Sequence, residues 1–123
     1  MKTLVDLLER SAAQHSDRQA LVMRVGVRTI RYSYSELEHR AHAYARLLRE
    51  RHVEAGDRVV IWAPNQPEWV ASMFGVFVAG AVVVPLDVRS SKEFVERVNE
   101  QTLPKLALAG REQAPILRQL GIP

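Results

Sequence analysis

Residues 56–87 read GDRVVIWAPNQPEWVASMFGVFVAGAVVVPLD, and this stretch decides the fold. Arg58-Val59-Val60-Ile61-Trp62-Ala63 is a short, nearly continuous apolar run, the pattern of a strand covered on both faces. Asn65, Pro67 and Glu68 then open a helix, with Asn65 the expected cap and Pro67 in the first turn, where its missing N–H breaks no hydrogen bond. That helix runs to about Ala79 and is apolar nearly all round, through Trp69, Val70, Met73, Phe74, Phe77 and Val78, until Gly80 stops it. Val82-Val83-Val84 predicts a second buried strand.

Toward the carboxyl end the alternation continues. Ser90 and Glu93 are placed to cap a helix that buries Phe94, Val95 and Val98, Lys105–Ala109 predicts a strand, and a weaker helix around 112–120 ends at Gly121. Strand, helix, strand, helix, strand, helix from residue 58 onward is the signature of βαβ units and a parallel sheet, so the fold class is α/β.

Toward the amino end the pattern changes. A helix is expected over 3–14, with Thr3 and Asp6 at capping-box spacing and Leu4, Leu7, Leu8 and Ala12 on one stripe. Residues 19–25 and 27–34 read as an antiparallel hairpin turning at Gly26, where the absent side chain permits a positive φ. A helix over 35–51 follows, with Leu37, Ala41, Tyr44, Ala45 and Leu48 on one stripe. Ser33 with Glu36 and Ser35 with Glu38 compete to start it, and Glu36/Arg40 and Arg46/Glu50 have the spacing of helix ion pairs. Residues 1–123 thus form a single α/β piece, with a helix and hairpin over 1–34 and a helix followed by βαβ units over 35–123.

Composition narrows the function. The 123 residues contain no cysteine, which removes disulfide scaffolds, Cys-ligated zinc and thiol nucleophiles. No apolar run approaches the roughly 20 residues of a membrane span, and Met1-Lys2-Thr3-Leu4-Val5-Asp6 breaks into charge at once. No signal peptide and a cytoplasmic setting are therefore expected. The net charge is +3, and the basic residues, mostly arginine, are interleaved with glutamate. No nucleic-acid partner is expected, and membrane contact is peripheral at most.

The candidate chemistry is sparse. His39 and His42 lie off the apolar stripe, and His15 and His52 fall at helix ends, so none is expected to bind metal. There is no Gly-x-Ser-x-Gly elbow and no Gly-rich phosphate cradle. Gly75 and Gly80 read as close packing, Gly56-Asp57 as a turn into the Arg58 strand, and Arg40, Arg46, Arg49 and Arg51 as a solvated face. Trp62, Trp69 and Phe74 belong to the expected core, and Pro85 to a strand exit. No residue is assigned a catalytic, cofactor-binding or metal-binding role.

Four segments occur together in one family: Tyr32-Ser33-Tyr34-Ser35-Glu36-Leu37, Gly56-Asp57-Arg58-Val59-Val60-Ile61, Pro64-Asn65-Gln66-Pro67-Glu68-Trp69 and Ala79-Gly80-Ala81-Val82-Val83-Val84-Pro85-Leu86-Asp87. In that order they resemble the amino-terminal part of the AMP-forming, adenylate-forming enzymes, the acyl-CoA synthetases and their relatives. Phe94 through Leu108 is most similar to the long-chain fatty acyl-CoA ligase branch. The resemblance implies an α/β fold with a partly parallel sheet, flanking helices and the antiparallel hairpin. It also implies a parent ligase that activates a carboxylic acid with ATP and Mg to an acyl-adenylate, then passes the acyl group to coenzyme A. The family's phosphate loop, ribose-holding and lysine motifs are absent from this sequence, so the piece alone is expected to be inert and to hold no cofactor. Its partner would be the rest of the ligase chain, and an uncovered strand edge or apolar face would favour a homo-oligomer. Two other readings stand beside it. One is a stand-alone α/β module holding a small ligand at residues 64–67 and 85–89; the other is a basic domain using the arginine face.

Overall fold

The computed structural model describes residues 3–25 and 27–121. Its elements are α1 (Leu4–His15), β1 (Gln19–Val25), β2 (Arg28–Ser33), α2 (Tyr34–Glu50), β3 (Arg58–Trp62), α3 (Pro67–Val78), β4 (Val82–Leu86), α4 (Lys92–Thr102), β5 (Leu106–Ala109) and α5 (Ala114–Gln119). β1 and β2 form the expected antiparallel hairpin, with an irregularity between Gln19 and Leu21; the turn expected at Gly26 lies outside the described residues. The second sheet is parallel, in the order β4-β3-β5.

β3 is central because its sequence has no polar face to offer water. Val59 and Ile61 point into one cluster with Leu48, Val53, Val76 and Ala81, beneath α2 and α3. Val60 and Trp62 point the other way, onto Leu86, Val95 of α4 and Leu117 of α5. Burying each such side chain contributes about 1.5–3 kcal/mol, so β3 anchors both layers. A third cluster joins Leu8 of α1, Leu37 and Ala41 of α2 and Ala71 of α3, with Ala20 and Leu21 of the hairpin packed against it.

Several local expectations are corrected. The cap of α3 is Gln66, without a side-chain bond, and not Asn65; Pro67 occupies the first turn and fixes the entry one residue later. Ser91, not Ser90, caps α4 and accepts from the Phe94 N–H. At α2 the Ser33–Glu36 capping box forms in full. Leu4 and Leu7 are exposed, because only the Leu8 and Ala12 side of α1 meets α2 and α3. Phe94 is 44% exposed, since α4 meets the sheet through Val95 and Val98. Trp62 is buried, but Trp69 and Phe74 are only partly so. β4 is half-exposed rather than buried because it is an edge strand.

Two glycine roles are settled by geometry. At Gly75 a Cβ would stand 2.4 Å from Tyr44 Cβ and 2.9 Å from the Ala41 carbonyl oxygen, so α2 and α3 approach more closely than any side chain permits. Gly80 has φ +75°, so it stops α3 as a left-handed turn and not by close packing. Its carbonyl accepts from the N–H of Gly56, itself at φ +87°, which ties the turn before β3 to the one before β4.

Candidate functional site

The densest polar constellation lies where β2, α2 and α3 converge. The capping box at Ser33 starts α2 immediately after β2, which leaves Tyr32 beside the first turns of the helix. Arg40 and Tyr44, four residues apart, share a helix face. Glu68 projects from the first turn of α3 between them. Its Oε1 accepts from the Tyr32 hydroxyl and from the Arg40 guanidinium at 2.7 Å, and its Oε2 accepts from the Tyr44 hydroxyl. The Arg40 guanidinium also lies 4.4 Å from the centroid of the Tyr32 ring.

The electrostatics follow from those contacts. Burial alone raises the Glu68 pKa, but the hydroxyls of Tyr32 and Tyr44 and the charge and hydrogen bond of Arg40 outweigh it, holding the carboxyl below its ordinary range. Burial, together with donation to the Glu68 carboxylate, pushes the Tyr32 hydroxyl up to about 12 and raises Tyr44 as well. Each donor thus keeps its proton and the acceptor keeps its charge. Such an arrangement holds three elements together; it presents no group poised to give or take a proton near neutrality.

The second feature is a cleft of about 160 Å³ at the carboxyl ends of β3 and β5. Ile61, Ala63, Leu108 and Gly110 form its floor, and Gln66, Trp69 and Ser72 stand on the α3 side, with Tyr44 and Glu68 at the rim. The chain steps from β3 to β4 on one side and then crosses to β5 on the other. The cleft therefore lies at the topological switch point of the sheet, where open α/β sheets place ligands. Residues 64–67 and 85–89 meet only in part: Asn65 lines a second pocket of about 260 Å³ with Ala63, Leu86, Asp87, Val88 and Arg89, at the carboxyl ends of β3 and β4, whereas Gln66 lines the cleft between β3 and β5. Behind Gly110, the Gln113 side chain is buried and its Oε1 has no hydrogen-bond partner.

Sequence reading missed the Glu68 constellation. It put Arg40 on a solvated face paired with Glu36, whereas Arg40 turns to Glu68; the described residues form two ion pairs, Arg40–Glu68 and Asp87–Arg89. Two signals were available: Glu68 is the one charged residue of α3, and Tyr44 brings a hydroxyl into the otherwise aliphatic stripe of α2. Among the described residues no group of three His, Asp or Glu side chains could hold a metal ion.

These residues do not fit a triphosphate with its magnesium. The amino end of α3 lacks one N–H at Pro67 and already holds its own carboxylate at Glu68. At α4 the Ser91 hydroxyl occupies the first turn, and Glu93 adds negative charge there. The orphaned Gln113 Oε1 is an acceptor, which phosphate oxygens cannot satisfy.

Comparison with known proteins agrees with the fold. The family model described as AMP-binding enzyme matches residues 8–121. Long-chain-fatty-acid–CoA ligase of Escherichia coli is 32% identical over 101 residues, covering 80% of this chain and 17% of that enzyme. Tyrocidine synthase 3 of Brevibacillus parabrevis is 33% identical over 119 residues, 97% of this chain and 2% of that protein. The solved structure of a Mycobacterium tuberculosis fatty acyl CoA synthetase superposes with a TM-score of 0.88 and 26% identity, covering 97% of this chain and 23% of that one. The chain spans about a fifth or less of the length of these relatives.

Proposed function

The chain belongs to the AMP-binding enzyme family, and from that premise we propose that its residues form the amino-terminal part of an ATP-dependent acid–CoA ligase. The parent enzyme would activate a carboxylic acid, a long-chain fatty acid in our reading, as an acyl-adenylate and transfer it to coenzyme A. The observation that carries this reading is the matched family model together with the chain's short span of its relatives. Fatty acids are favoured by the E. coli and M. tuberculosis relatives, whose names carry that substrate class.

Within that enzyme the work of these residues is positional. The Glu68 carboxylate fixes the hairpin and α2 against α3, and β3 fixes both helical layers. ATP, Mg and coenzyme A would be held by residues elsewhere in the polypeptide, and no chemical step is routed through this chain. The piece alone is inert. No helix among the described residues is long and apolar enough to cross a membrane, and we place the parent enzyme in the cytoplasm.

The test is to express the complete open reading frame of the source and measure acid-dependent pyrophosphate exchange and acyl-CoA formation. Exchange and acyl-CoA with long-chain fatty acids are expected. Exchange with amino acids alone would overturn the fatty acid assignment, and a reading frame ending at Pro123 would overturn the ligase. The switch-point cleft supports a second reading, a stand-alone small-ligand module. That reading requires saturable binding of a small molecule to the 123-residue chain, lost when Trp69 at the cleft wall is replaced.

A further inference from the structure

The β1–β2 hairpin breaks the interleaving of charge seen along the rest of the chain. Between Asp17 and Glu36 stand four arginines, Arg18, Arg24, Arg28 and Arg31, and no acid. The register sorts them. Leu21 stands opposite Tyr32 and Met23 opposite Ile30, on the side where Leu21 packs against the helices. The alternate pairs, Val22 with Arg31 and Arg24 with Thr29, occupy the other face, and all four residues are exposed. Arg24 and Arg31 are diagonal neighbours across the ladder, about 7–8 Å apart between Cα atoms. At the tip Arg28 opens β2, and Val27 before it is fully exposed. Among the described residues the ion pairs are Arg40–Glu68 and Asp87–Arg89, so none of these four arginines has a carboxylate partner.

Like charges this close repel, and guanidinium groups sealed under an apolar surface without partners carry a heavy desolvation cost. Whatever meets this face must therefore be anionic. Val22 and Val27 add a second requirement, because they set exposed apolar side chains among the arginines and need apolar contact at the same place. A surface of phosphate groups over hydrocarbon meets both needs, whereas an acidic protein surface meets only the first. We propose that the outer face of the hairpin rests on an anionic phospholipid surface. Arg24, Arg28 and Arg31 would pair with headgroup phosphates, and Val27 at the tip would dip between them. The exposed arginines of α2 do not offer the same footprint. Arg40 is committed to Glu68, and Arg46 and Arg49 are followed at once by Glu50 and Glu54.

The test is sedimentation of the polypeptide encoded by the complete reading frame with vesicles. One set is phosphatidylcholine alone, and the other contains about one third phosphatidylglycerol. Circular dichroism confirms folding of each variant, and every substitution is at an exposed position. Binding to the anionic vesicles alone is expected, weakening as salt is raised. Arg24→Gln with Arg31→Gln should weaken it about 25-fold, at about fivefold for each arginine. Arg24→Lys with Arg31→Lys should keep it, and Val27→Ser should weaken it severalfold. Arg46→Gln with Arg49→Gln on α2 should change it less than about twofold. No binding, equal binding to both vesicles, or binding that the Arg24 and Arg31 pair leaves unchanged would overturn the proposal. An acidic protein, or the rest of the polypeptide, seated on this face would give the first of those results. The outcome is independent of the ligase reading, which rests on pyrophosphate exchange by the same polypeptide.

Discussion

The seam between α2 and α3 and the carboxyl ends of the strands are neighbours that share Tyr44 and Glu68, yet they are built in opposite ways. In the seam every polar group is matched: one carboxylate takes three donors, and a glycine lets the two backbones touch. At the strand ends the groups are loose. Asp87 and Arg89 pair only with each other in solvent, and the Gln113 amide oxygen has no partner. The contrast teaches that the chain's strongest chemistry-bearing residues are committed to holding helices together, and that its open end is a shelf waiting for other groups.

Two glycines give the sharpest way to break that comparison. A Cβ at Gly75 or at Gly110 would meet its nearest atom at the same 2.4 Å, but at Gly75 that atom is the fixed Tyr44 Cβ and at Gly110 it is the movable tip of Gln113. Gly75→Ala should therefore cost about 2–4 kcal/mol by chemical denaturation, and Gly110→Ala less than about 1 kcal/mol. Equal costs would mean that the seam is no tighter than the shelf.

Removing the carboxylates comes next. Glu68→Ala orphans the Tyr44 and Tyr32 hydroxyls and should cost about 1–2 kcal/mol, a figure already reduced because the site is partly open to solvent. Asp87→Ala should leave Tm unchanged, since its pair with Arg89 is fully exposed.

The pH dependence sharpens the same point. Because the folded Glu68 pKa lies below its unfolded value, its contribution is present above about pH 4.3 and is lost as pH falls through the folded value. Tyr32 and Tyr44 are raised, so their contribution is complete below about pH 10 and is lost as pH climbs toward the Tyr32 value of about 12. Glu68→Gln should flatten the acid limb of a stability–pH curve; an unchanged limb would show that the constellation is not coupled to folding.

A small gain is expected outside both regions. Leu103 caps α4 at φ +47° with its side chain 77% exposed, so Leu103→Gly should raise stability by about 0.5 kcal/mol. A loss would show that its side chain packs in a way the exposure hides.

The fold was legible because β3 is a continuous apolar run and the α2 stripe carries unambiguous periodicity, and because Gly56, Gly80 and Pro67 mark turns with a backbone reason. Caps were read one residue off at Asn65 and Ser90, since adjacent polar residues compete and only the φ/ψ of the entry decides. The Glu68 constellation was not legible as a unit: Tyr32, Arg40, Tyr44 and Glu68 span 37 positions, and local spacing suggested Glu36 as the partner of Arg40. Pro85 was read as a strand exit, but it lies inside β4 opposite Ile61, which only the register of the two strands shows.

The most direct test of the account is acid-dependent pyrophosphate exchange by the 123-residue chain itself, with magnesium, ATP and a long-chain fatty acid. The account predicts a folded protein with exchange no greater than a buffer blank. Exchange that requires the acid would contradict it and would locate adenylating chemistry within these residues.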